Sequence, residues 1–142
     1  MEVDVLNMEG QKVRTLEEVM APPVISGVLT RLQCTPVGEG AAAVIVMSEE
    51  GMKRHGIPMR RAVQVLASAS RSEQPFGREN GDSALTKATT EQAYEQSGLG
   101  PKDIDIVELH DAFSIEELLY LEVMGFCGEG EAAAELEMGS FD

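Results

Sequence analysis

Ile104-Asp105-Ile106-Val107-Glu108-Leu109-His110-Asp111-Ala112-Phe113-Ser114-Ile115-Glu116-Glu117 decides the reading of this chain. Its first six residues are rich in β-branched and apolar types and predict a strand. Ser114 and Glu117 have capping-box spacing, which predicts a helix beginning within a few residues of that strand. Ile115, Leu118, Leu119 and Met124 supply an apolar stripe, and Gly125 ends it. A strand running almost directly into a helix is the unit from which parallel α/β folds are built.

Strands and helices alternate upstream as well. Ser83–Ser97 predicts a helix closed by Gly98, with Pro101 barring continuation. Before it, Ala62-Val63-Gln64-Val65-Leu66-Ala67-Ser68-Ala69 predicts a strand, and residues 70–82, with Pro75, Gly77 and Gly81, an exposed loop. Ala41-Ala42-Ala43-Val44-Ile45-Val46-Met47 is a continuous apolar run, the pattern of a strand buried on both faces. Ser48 then offers an N-cap, Glu49 and Glu50 fill a first helical turn, and Lys53, Arg54 and His55 a last one before Gly56. That order of charge complements a helix dipole. Residues 1–40, punctuated by Pro22, Pro23, Gly27, Pro36, Gly38 and Gly40, read as loop or edge structure. The expected class is α/β with mostly parallel strands and flanking helices. Three strands make a narrow sheet with edges to cover, so the unit reads as incomplete by itself.

The 142 residues are enough for one core, and 43% hydrophobic content suits a globular chain. Net charge is −14, and residues 103–142 carry 12 acids with no Lys or Arg. That segment repels phosphates, which argues against a nucleic-acid partner and against holding a phosphate there by charge. No apolar run reaches the ~20 residues of a membrane span, and no signal peptide is evident. Cys34 and Cys127 lack CxxC spacing or a His/Cys cluster, so neither a disulfide framework nor a metal site is expected. The expected setting is cytoplasmic, or peroxisomal in a eukaryotic cell.

Chemistry is expected where the strand ending at Leu109 meets its helix, because ligands of parallel sheets gather at the carboxyl ends of strands. His110, Asp111 and Ser114 arrive there together. A histidine beside a helix N-terminus can donate to a developing oxyanion or move a proton. On these residues alone, helix capping by Asp111 or Ser114, with His110 an ordinary loop histidine, is the better account of the junction.

Three stretches carry a family resemblance. Glu108-Leu109-His110-Asp111-Ala112-Phe113-Ser114, followed by Gly125-Phe126-Cys127-Gly128-Glu129-Gly130, resembles the Asn-Glu-Ala-Phe region of thiolases, with His-Asp replacing Asn-Glu as in the sterol carrier protein x, or lipid-transfer, branch. Leu32-Gln33-Cys34-Thr35-Pro36-Val37-Gly38-Glu39-Gly40 resembles the family's loop before a buried strand, and Gly98-Leu99-Gly100-Pro101-Lys102-Asp103-Ile104-Asp105 its turn before the motif strand. The resemblance runs from about Glu17 to Gly130 and implies part of a five-layered αβαβα fold. Residues 1–40 would lead into the fold, 41–56 would form the last strand and helix of the first thiolase half, and 57–142 the first part of the second half without its C-terminal strands.

The resemblance also implies roles. His110 would be an oxyanion-hole donor, Phe113 would pack under the site, and Thr35 would contact the coenzyme A arm. Pro36 departs from the glycine common in other thiolases, and a plain turn residue remains the other reading of Thr35. Coenzyme A would be a substrate, no cofactor is implied, and the partners would be acyl-CoA together with the missing thiolase segments or further copies in a homo-oligomer. The nucleophilic cysteine, the Gly-His-Pro histidine and the second catalytic cysteine of thiolases have no counterpart here, so the chain alone is expected to be inactive. Two other readings stay open: a thiolase-like retro-aldolase component for steroid side-chain CoA esters, which Tyr94 and Tyr120 in predicted helices do not favour, and a non-catalytic lipid- or partner-binding module.

Overall fold

Thr15 begins the first helix by satisfying two backbone donors at once. Its hydroxyl accepts from the Glu18 N–H at 3.2 Å, and its own N–H donates to the Glu18 carboxylate at 3.0 Å. The computed structural model of the chain describes residues 2–3, 14–72 and 81–141. In it a short antiparallel pair, β1 (Glu2–Val3) with β2 (Arg14–Thr15), leads into α1 (Leu16–Met20). A second antiparallel hairpin follows, β3 (Val24–Ser26) with β4 (Leu29–Thr30), turning at Gly27. The stretch expected to be loop or edge thus contains two hairpins and a capped helix. Each element is too short for a hydrophobic period to reveal it.

The helices beyond this region follow local signals closely. In α2 (Glu49–Arg54) the Ser48 hydroxyl accepts from the Gly51 N–H at 3.1 Å, and His55 forms the C-cap through its backbone. The long helix α3 (Asp82–Ser97) ends at Gly98, whose φ of 72° is the left-handed conformation that glycine adopts without strain. The last helices are α4 (Ser114–Val123) and α5 (Ala132–Glu137). Packing joins α4 to both α3 and α5. The Tyr94 hydroxyl donates to the Met124 carbonyl at 3.0 Å, tying α3 to the end of α4. Burial raises the Tyr94 pKa, which keeps the phenol protonated as that donor. Leu121 is the buried residue of α4, whereas Ile115 and Leu119 of the expected stripe stay exposed. The buried apolar side chains among the described residues are Val19, Met52, Leu121 and Ala132.

The three expected strands are the main correction. Residues 41–47, 62–69 and 104–109 form no ladder among the described residues, and both observed sheets are antiparallel rather than parallel. Val44 is 86% exposed, Val63 93% and Ile106 82%. Among the described residues no five-layered arrangement is formed. An apolar run specifies that a segment wants burial, but a strand is stabilised only by the neighbour that completes its ladder and covers its faces. The expected loop over 70–82 falls mostly outside the described residues, which omit 73–80.

Candidate functional site

Thr30 is 2% exposed, and both its polar groups are satisfied. Its hydroxyl donates to the Val19 carbonyl of α1 at 2.6 Å. Its N–H donates to the Gln33 side-chain oxygen at 2.9 Å across the 3₁₀ turn Arg31–Gln33. Cys34 leaves that turn in extended conformation and forms a single antiparallel bridge with Phe113. The Thr35 N–H then donates to the Ala112 carbonyl at 2.9 Å. Finally, the Gln33 side-chain nitrogen donates to the Ser114 hydroxyl at 3.2 Å, joining residues 81 positions apart.

The loop carrying Thr35 and the loop carrying Phe113 are therefore fastened to each other by the β-bridge, of which the Thr35–Ala112 bond is part, and by a side-chain bond. Thr35, His110, Asp111 and Phe113 are all exposed on this junction, Phe113 by 41%. Of the three residues singled out from the sequence, Thr35 and Phe113 lie on strands of backbone that touch, and His110 lies two residues before Ala112 on the same loop. His55, by contrast, belongs to the end of α2.

The start of α4 differs from expectation by one residue. Phe113, not Ser114, is the N-cap, with φ −135° and ψ 143°. The Glu116 carboxylate accepts from the Phe113 N–H at 3.2 Å, and the Glu116 N–H donates to the Phe113 carbonyl at 2.8 Å. A phenylalanine has no side-chain acceptor to offer at a cap. The bridge to Cys34 holds Phe113 extended, so the helix starts after it and the Ser114 hydroxyl is released to Gln33. The reading from sequence missed Gln33 and Thr30 as parts of the site. A polar residue just ahead of Thr35 was the available signal, but its partner is distant in sequence.

Neither thiol looks built for nucleophilic work. Cys34 is half-buried, and its Sγ lies 3.4 Å from the Thr30 carbonyl. The Cys127 pKa is raised, first by burial and then by the carboxylates of Glu122, Glu131 and Glu135, all of which disfavour the thiolate. Since the thiolate is the reactive form, alkylation of Cys127 in a Cys34→Ser variant is expected to show a pH–rate midpoint above that of an ordinary free cysteine. A midpoint below the ordinary value would contradict this placement. Among the described residues no group of three His, Cys, Asp or Glu could hold a metal ion, and no helix is long and apolar enough to cross a membrane.

Comparison with known proteins agrees with the motif. The family described as "Thiolase C-terminal domain-like" matches residues 67–142, a span that includes His110, Phe113 and Ser114. The chain is 44% identical over 128 residues to benzoylsuccinyl-CoA thiolase subunit BbsB of Thauera aromatica, covering 89% of this chain and 33% of that protein. It is 39% identical over 131 residues to sterol carrier protein 2 of Rattus norvegicus, covering 88% of this chain and 24% of that one. It is 36% identical over 121 residues to an acetyl-CoA acetyltransferase of Methanocaldococcus jannaschii, covering 83% and 31%. The chain thus spans between about a quarter and a third of these curated relatives.

Proposed function

Because the chain belongs to the thiolase C-terminal domain-like family, we propose that it is a segment of a thiolase-like acyltransferase of the lipid-transfer branch and supplies one wall of an acyl-CoA site. The observation that supports this reading is the clasp between residues 33–35 and 112–114, which brings the loop of Thr35 against that of Phe113, three residues after His110. The substrates would be acyl-CoA or 3-ketoacyl-CoA thioesters. His110 would donate a ring N–H to the carbonyl oxygen as negative charge develops on it. Thr35 and Phe113 would line the uncharged pantetheine arm, in keeping with the absence of any Lys or Arg after position 102 to hold a phosphate.

The acyl group would be carried by a cysteine outside these 142 residues. The runs 41–47, 62–69 and 104–109 would become parallel strands of the layered fold once their neighbours are supplied, either as further thiolase segments or within an oligomer. Their exposure here supports that reading.

Two measurements test it. The purified chain is expected to bind coenzyme A in a titration, more weakly after Phe113→Ala, and to show no thiolytic turnover. Turnover by the pure chain, or no binding at all, would overturn the assignment.

A further inference from the structure

We propose that Gln33 is a positioning residue of this site, setting the distance between the Thr35 loop and the His110 loop; the proposal rests on the reading of that junction as a coenzyme A wall. One carboxamide makes two bonds of opposite polarity. Its oxygen accepts from the N–H of Thr30 at 2.9 Å, and its nitrogen donates to the hydroxyl of Ser114 at 3.2 Å. Thr30 is fixed in turn, because its buried hydroxyl donates to the Val19 carbonyl of α1. The connection therefore runs from α1 through Thr30 and Gln33 to the first residue of α4.

This chain of bonds flanks the main-chain bond from Thr35 to Ala112 and the bridge between Cys34 and Phe113. A two-residue antiparallel contact is weak by itself, since a ladder this short gains little against the entropy of ordering both loops. Gln33 adds a second, solvent-exposed side-chain bond across the junction, anchored at its other end by the part-buried bond to Thr30, and it does so to the residue next to Phe113. Ser114 can accept it because Phe113 has taken the cap position of α4. Among the described residues no other side chain hydrogen-bonds the 31–35 turn to α4. The acyl-CoA itself is not touched by Gln33 in this proposal. The side chain acts through the spacing of Thr35, Phe113 and His110.

The test uses the full chain with Gln33→Ala, Ser114→Ala, the double substitution and Ser114→Thr, which keeps the hydroxyl. Two readouts are followed: amide hydrogen exchange at Thr35, and the Kd for coenzyme A. Each alanine variant is expected to accelerate Thr35 exchange about two- to tenfold, the effect of one lost hydrogen bond, while exchange at Gly98 and Met52 stays unchanged. The double variant is expected to be no worse than Gln33→Ala, which already removes the bond to Ser114 together with the one to Thr30. Coenzyme A affinity is expected to fall in parallel, and Ser114→Thr to restore both values. Unchanged Thr35 exchange in the alanine variants would overturn the proposal. So would additive effects, or faster exchange with coenzyme A affinity untouched, which would leave Gln33 a purely structural role. Failure of the unsubstituted chain to bind coenzyme A would instead overturn the proposed function, and the exchange data would still decide whether Gln33 fixes the junction.

Discussion

Substituting lysine for Val44 and Val63 together is expected to raise the dissociation constant for self-association of the chain by at least about a hundredfold. Both side chains are almost fully exposed, in segments whose backbone forms no ladder among the described residues. Valines of this kind each gain about 1.5–3 kcal/mol when buried, so two of them account for an effect of that size. Unpaired apolar segments also template pairing with other chains, and a lysine on such an edge blocks it. The change would not come from stronger net repulsion, because two lysines bring the charge of −14 closer to zero. Sedimentation velocity over a concentration series reads the result. A monomeric unsubstituted chain at high concentration would show that these runs are not sticky surfaces.

The second large effect concerns His110. In a chain that joins these residues to the thiolase segments bearing the nucleophilic cysteine, His110→Ala is expected to lower kcat by about 10²- to 10³-fold with little change in KM, as removal of one oxyanion donor does. His110→Asn should retain most of the activity. An asparagine can still donate a hydrogen bond but cannot titrate, and it is the residue that other thiolases carry at this place in the resemblance. If His110→Asn lost as much as His110→Ala, the imidazole would be moving a proton and not merely donating to an oxyanion.

The helices were legible because their signals are local. Ser48 caps α2 as its position before Glu49 and Glu50 suggested, and Gly98 ends α3 with positive φ. The N-cap of α4 was misplaced by one residue because a long-range contact, the bridge from Cys34, overrides the preference for serine at a cap. The strands failed for a related reason. Val44, Ile45 and Val46 are apolar enough for a central strand, yet pairing is a property of two segments, and the described residues supply no second one. The hairpins near the N-terminus and α5 were missed because two- to six-residue elements carry too little pattern. The motif pointed to the loops of Thr35 and Phe113, which the structure joins, while Gln33 was not legible, since its partner is 81 positions away.

The central claim is that Thr35, His110 and Phe113 form one wall of a coenzyme A site, and residue-resolved titration with coenzyme A tests it most directly. Saturable binding is expected, with the largest resonance shifts at Thr35, His110 and Phe113 and weaker binding after Phe113→Ala. Saturable shifts centred on α2 around His55, or no saturable shifts at all, would contradict it.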